Sequence, residues 1–254
     1  MANFATHLGV GTIASGMAAT LAVATNMVGQ GDVITLALVG ALGSVLPDID
    51  LKDSRSSRII FFALGLFLSI VVLFCVVAKY SIVELWIIWI GAFLTVRYLG
   101  HSLFHNFAVH RGVFHSVLAG VFFLLATAAI FHHGLNVPTG ISWLAGVFML
   151  FGYLIHLLLD EIYSVDFSGN RVKRSFGTAM KLFEYRDPTA SFLMLVAVAG
   201  MFFFTPPINQ FYDVMATNDL WTELWDRMLP EGHWFGIDLE QFQTAIAKEP
   251  EVTN

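Results

Sequence analysis

Cysteine occurs once in the 254 residues, at Cys75, inside an apolar run. A single thiol builds no disulfide framework, and it excludes a zinc site made of cysteines. Charge is scarce as well. Asp, Glu, Lys and Arg make up 13% of the chain, about half the roughly 25% of an ordinary soluble domain. A formal net charge of −6 gives no footing for phosphate-backbone contacts, so no nucleic-acid partner is expected. The N-terminus lacks the basic stretch of a cleavable signal and its apolar run is long, so that run is expected to remain as the first membrane span. No internal repeat, low-complexity tract or second core is visible.

What the chain has in quantity is hydrocarbon. Hydrophobic residues are 57% of it, and several runs reach the about 18 residues needed to cross roughly 30 Å of bilayer core. The expected fold is all-α, a polytopic transmembrane bundle of about six to seven membrane helices. The apolar segments are read at residues 4–28, 33–46, 59–78, 82–105, 113–131, 141–163 and 189–204. They form a transmembrane domain over residues 1–206, followed by an acidic tail, 207–254. Gly11, Ser15, Ala18 and Ala19 let helix backbones approach closely, which places the first segment inside the bundle. The second, only 14 residues long, is roughly 21 Å as a helix. That is short for a span, so it is either buried by its neighbours or partly re-entrant. In the tail, Trp221, Leu224, Trp225 and Met228 recur at spacing three to four, the pattern of an amphipathic helix on a membrane surface.

Against this background the polar residues stand out. His110-Arg111-Gly112-Val113-Phe114-His115-Ser116 lies between two apolar runs, and polar groups at the edge of hydrocarbon are costly to keep there. His7 opens the first segment. Asp48 and Asp50 follow Pro47 at the end of the second. His156 and Asp160, one turn apart on one helix face, close the sixth. Each has an ordinary alternative: an interfacial histidine, a solvated turn, a helix start at Ser116, a membrane anchor at Arg111. His101 and His105 also share a face, and are read as hydrogen-bonding support around a site. His132 and His133 are adjacent, point about 100° apart, and read as a helix-end pair.

Orientation follows the distribution of Lys and Arg in short loops. With the N-terminus inside, the inner loops carry nine basic residues and the outer loops one, Lys79. This arrangement puts the tail outside. It also puts His7, Asp48, Asp50, His101, His105, His110, His115, His156 and Asp160 at the cytoplasmic helix ends, a consequence not used in deriving it. His132 and His133 fall on the other side.

Imidazole and carboxylate ligands suit a divalent cation, Zn²⁺ first and Mn²⁺ or Fe²⁺ next. The ligand pool is His7, Asp48, Asp50, His110, His115, His156 and Asp160. This exceeds the three protein ligands of one catalytic zinc, so either two ions share the pool or some members support the others, with Asp50 a candidate general base. Arg111 has the planar fork that matches a phosphate oxygen pair. Ser116 either hydrogen-bonds a ligand histidine or starts the helix.

The order of His7, Leu-Pro-Asp-Ile-Asp, His-Arg-Gly-x-x-His-Ser and His-Leu-Leu-Leu-Asp resembles the YdjM-like family of bacterial inner-membrane proteins. The resemblance runs from His7 to Asp160 and on into Lys173-Arg174-Ser175-Phe176-Gly177-Thr178. Phe114 stands where relatives often carry Thr. The plan is also distantly similar to zinc-dependent phospholipase C, through the shared His-x-x-x-Asp pair. The resemblance implies a membrane-bound metal-dependent hydrolase acting on a phosphoester, in a lipid or other amphiphile, at the cytoplasmic face of the inner membrane. Two other classes fit the residues: a metal-ion or small-solute transporter, marked by a polar path across the bilayer, and a non-catalytic scaffold, marked by a closed metal shell.

Overall fold

Apolar runs in a bilayer must satisfy their own backbone groups, and helices do so within one segment. A computed structural model of the chain accordingly shows helix after helix. It describes residues 2–50, 55–77, 79–107, 112–166, 171–172 and 180–228. In chain order come α1 (Phe4–Ala24), α2 (Gln30–Gly43), a 3₁₀ turn (Leu46–Asp50) and α3 (Arg55–Val76). Then α4 (Ile82–Leu94) runs through a π-helical turn (Thr95–Gly100) into α5 (His101–Phe107). Next, α6 (Val117–Ala129) ends in a second π-helical turn (Ile130–Gly134) and is followed by α7 (Thr139–Ile162). Two short strands, β1 (Val165–Asp166) and β2 (Arg171–Val172), pair antiparallel before α8 (Pro188–Phe202), α9 (Asn209–Ala216) and α10 (Asn218–Met228).

The chain is an all-α membrane bundle. Among the described residues five helices are long and apolar enough to span, and two more, α2 and α8, are apolar but shorter. Together they account for the expected six to seven. The second segment keeps its expected 14 residues but sits three positions earlier than read, at Gln30–Gly43. Chain continuing towards Asp50 tightens into the 3₁₀ turn. The fifth segment begins at Val117 because Ser116 is its N-cap: the Ser116 Oγ accepts the Ala119 N–H at 3.3 Å.

α7 is the axis of the bundle. Of its most apolar window 61% is buried, against none for the span that contains α4. It packs on α1, α2 and α6, and glycines make the approach possible. A Cβ added to Gly152 would fall on the Gly40 carbonyl oxygen, and one on Gly43 would fall on the Met149 carbonyl oxygen. On the other side of α2, a Cβ on Gly11 would collide with the Ser44 hydroxyl. Backbones of α1, α2 and α7 therefore lie nearly in contact, the small-residue packing expected of the first segment. The approach of α2 to α7 fixes where the end of α2, and the turn after it, meet the last turns of α7.

The far side of the bundle is tied by the chain that follows α8. The Trp143 indole N–H donates to the Pro206 carbonyl at 3.1 Å, and the Trp143 and Phe211 rings stack. The expected amphipathic run is helical as α10, reached by a hydrogen bond from the Asn26 side chain to Glu223 at 2.8 Å.

Candidate metal centre

Antiparallel neighbours bring alternate helix ends together. The start of α1, the turn after α2, the entry to α6 and the end of α7 meet at one end of the bundle. The side chains they carry there are His7, Asp48, His115, and His156 with Asp160. All five are buried, none more than 5% exposed.

Their spacing has a recognisable character. The rings of His7 and His156 stack with centroids 3.7 Å apart and planes 12° from parallel. His7 Nε2 lies 3.2 Å from Asp160 Oδ1. On the other side of His156, Asp48 Oδ1 is 3.7 Å from His156 Nε2 and 3.9 Å from His115 Nε2. The last two gaps are too long for hydrogen bonds. They are nearer the roughly 3.3 Å that separates two ligands each about 2.0–2.1 Å from a tetrahedral zinc. Two groups emerge, His7–His156–Asp160 and Asp48–His115–His156, each with ligand atoms within 4.8 Å of one another. Each is two imidazoles and one carboxylate, and each can hold a metal ion.

Buried polar atoms normally find a partner, and those that do not need a reason. Both ring nitrogens of His7, Nε2 of His156 and Oδ2 of Asp160 are buried without a hydrogen bond, and His7 Nε2 has only its 3.2 Å ion-pair approach to Asp160 Oδ1. These atoms lie on the three residues of the first group, each of which offers one ligand atom within 4.8 Å of the others. A divalent cation is the species whose chemistry satisfies nitrogen and carboxylate lone pairs together, so the residues fit the metal that the family resemblance implies.

Three supports hold the cluster and none was visible in the sequence. The Ser44 carbonyl accepts from His156 Nδ1 at 2.8 Å, which puts the proton on Nδ1 and leaves the Nε2 lone pair facing the other ligands. The Ala2 backbone N–H donates at 3.1 Å to Asp160 Oδ1, the oxygen that also faces His7 Nε2. Tyr153, one turn before His156 and fully buried, donates its hydroxyl to the Phe114 carbonyl and so pins the residue preceding His115. All three supports use a backbone group, which side-chain patterns cannot report.

Other expected members of the site stand differently. Ser116 donates to the Val113 carbonyl at 2.5 Å and caps α6, the second of its two expected roles. His101 packs edge-on against Phe61, centroids 5.0 Å apart, and belongs to neither three-residue group. His110, Arg111 and the side chains of Asp50 and His105 lie outside the described residues. At the opposite end, His132 Nδ1 is 3.2 Å from the Val137 carbonyl and His133 Nε2 is 3.0 Å from the Phe204 carbonyl, so that pair closes a helix end as read.

The profile of the YdjM inner membrane protein family matches residues 1–207. The chain belongs to that family. Its membrane location follows from the family and from the apolar helices together. The match covers α1 to α8 and every residue of the two histidine–aspartate groups, and stops before α9. No curated protein and no solved structure matches the chain.

Proposed function

We propose that this YdjM-family protein is a membrane-embedded, metal-dependent hydrolase of phosphoesters in lipid or other amphiphilic substrates. The observation that carries the reading is the set of buried ligand atoms without a hydrogen bond on His7, His156 and Asp160. Two imidazoles and a carboxylate make three protein ligands, the number that leaves a catalytic zinc an open fourth position. Zn²⁺ is therefore the assigned metal, with Mn²⁺ and Fe²⁺ as substitutes of matching ligand taste. Held by His7, His156 and Asp160, such a cation would supply Lewis-acid polarisation of a phosphoryl oxygen and a lowered pKa for water.

The chain's own residues set the rest. His156 has one nitrogen to give, because Nδ1 is committed to the Ser44 carbonyl. It therefore serves one ion, and the two groups that share it are alternatives unless further ligands join. Asp50, two residues beyond Asp48, and His110, five before His115, are the residues we assign to complete a second position. Asp50 is also the assigned proton acceptor, and Arg111 the guanidinium that neutralises a phosphate oxygen. We place the site at the cytoplasmic face, following the excess of basic residues in the loops on that side.

Transport is the weaker alternative. The buried face of α1 runs His7, Gly11, Ser15, Ala19, Ala22, so its polar character stops at Ser15, well short of the other end. The experiment is turnover of bis(p-nitrophenyl) phosphate by detergent-purified protein with added Zn²⁺, compared with the same protein stripped by chelator and with His156→Ala. Activity that needs both metal and His156 supports the reading. Metal bound at His156 with no turnover of this ester or of a phospholipid moves the site to a structural role.

A further inference from the structure

α3 does not pack like the other helices. It lies along α4, and it touches the main bundle through the 3₁₀ turn at one end and the π-helical turn of α6 at the other. Ile60 and Phe61 pack with Ile49 and Val45 at the first contact. At the second, a Cβ on Gly134 would lie 2.7 Å from Val71, and Cys75 Sγ is 3.6 Å from the Gly134 carbonyl. Between these two contacts, α3 has only sparse contact with α2, α6 or α7 among the described residues.

The gap is a cavity of about 220 Å³ walled by α2, α3, α6 and α7. Its lining is hydrocarbon and aromatic apart from Thr35 and Thr127. Leu42 and Met149 mark the end towards the metal centre, and Phe67 and Phe131, stacked with centroids 6.4 Å apart, mark the far end. Sideways it opens where Leu38, 63% exposed, and Thr35 face outwards. An apolar void inside a soluble core stays dry and takes an apolar guest. Here the surroundings are themselves hydrocarbon chains.

Dimension and direction narrow the guest. The cavity lies along the bundle below the 3₁₀ turn that carries Asp48. Phe67 is twelve residues into α3, about 18 Å from its start at the site-bearing end. One leaflet of a bilayer is about 15 Å of hydrocarbon. We propose that this lateral slot takes a single acyl chain of a membrane lipid, whose headgroup then lies against the 3₁₀ turn beside His115 and His156. That the lipid is the substrate rests on the hydrolase reading above; that the slot holds an acyl chain does not.

The test uses Leu38→Trp and Thr35→Trp, which block the opening from positions already exposed, and Ile34→Trp as a control. Ile34 is 70% exposed on the same helix and does not line the cavity. The full-length protein is loaded with palmitoyl-oleoyl phosphatidylglycerol in detergent, washed, and the retained lipid per chain is counted by native mass spectrometry. Turnover of that lipid and of bis(p-nitrophenyl) phosphate, which has no acyl chain, is measured in parallel. Wild type and Ile34→Trp are expected to retain lipid, with retention weakened about tenfold or more in the two slot variants. Turnover of the lipid should fall with it, while turnover of the chain-free ester stays level. Equal retention in Leu38→Trp and Ile34→Trp overturns the slot and leaves hydrolysis standing. Retention that responds to the slot variants with no turnover of either ester keeps the slot and overturns hydrolysis.

Discussion

The contact between α2 and α7 can be tested by one methyl group. In Gly152→Ala the new Cβ would sit on the Gly40 carbonyl oxygen, 2.8 Å from its carbon and 3.0 Å from the Ser44 nitrogen. All three are backbone atoms, so no side chain can swing aside. The helices must part by about 1 Å or more to restore ordinary contact. Overpacking of this kind costs about 1–3 kcal/mol. The Ser44 carbonyl moves with α2, so its 2.8 Å bond to His156 is stretched beyond use, adding about 1 kcal/mol. The sum, about 2–4 kcal/mol, corresponds to a fall in Tm of roughly 5–15 °C for a chain of this size. The assay is thermal unfolding in detergent followed by circular dichroism. Gly16→Ala is the control, because nothing lies within 4 Å of a Cβ there; its Tm should hold or rise slightly, as alanine is the better helix former. Zinc retention by Gly152→Ala should fall with the loss of the His156 orientation. If Gly152→Ala unfolds within a degree or two of Gly16→Ala, the backbone-contact account of α2 and α7 is wrong.

Two further outcomes follow from local geometry. Ser116→Ala removes the N-cap of α6 and should cost about 1 kcal/mol, while Ser116→Asp, which can cap, restores most of it; equal Tm values for the alanine and aspartate variants would contradict the capping role. Glu184 sits in the segment whose Lys181 and Leu182 carbonyls accept the first N–H groups of α6 at 2.9 and 3.0 Å. Burial pushes its carboxyl up, but hydrogen bonds from the Lys181 ammonium and the Arg186 backbone N–H outweigh this and hold it below the usual carboxylate range. Its folded value is depressed, so the stabilisation is complete above the unfolded value and is lost as pH falls through the folded one. Glu184→Gln should therefore be less stable at pH 7 by about 1 kcal/mol after allowance for solvent screening. The difference should close progressively below about pH 4; a gap independent of pH would refute the charged role.

Legibility differed by kind of feature. Helix number and order follow from run length, because a bilayer admits few alternatives to a helix. Boundaries shifted where a side chain competed with the hydrophobic pattern: capped by Ser116, α6 starts at Val117, four residues after the apolar run begins. The gathering of His7, Asp48, His115, His156 and Asp160 at one bundle end was readable from alternating helix direction alone. Their division into two groups sharing His156 was not, because it depends on which faces of α1, α2 and α7 touch. Those faces are chosen by Gly11, Gly40, Gly43 and Gly152, and only the first was singled out as a packing residue. Backbone supports such as the Ser44 carbonyl and the Ala2 N–H leave no trace in residue types. The gap beside α3 was equally hidden, since a uniformly apolar helix reads the same whether it packs or stands off.

The most direct measurement is zinc content after exhaustive dialysis, read together with X-ray absorption at the zinc edge. The account predicts about one tightly held zinc per wild-type chain, with nitrogen and oxygen neighbours and no sulfur, and loss of that ion in His156→Ala with the fold retained. The same zinc content and the same edge spectrum in wild type and His156→Ala would contradict it.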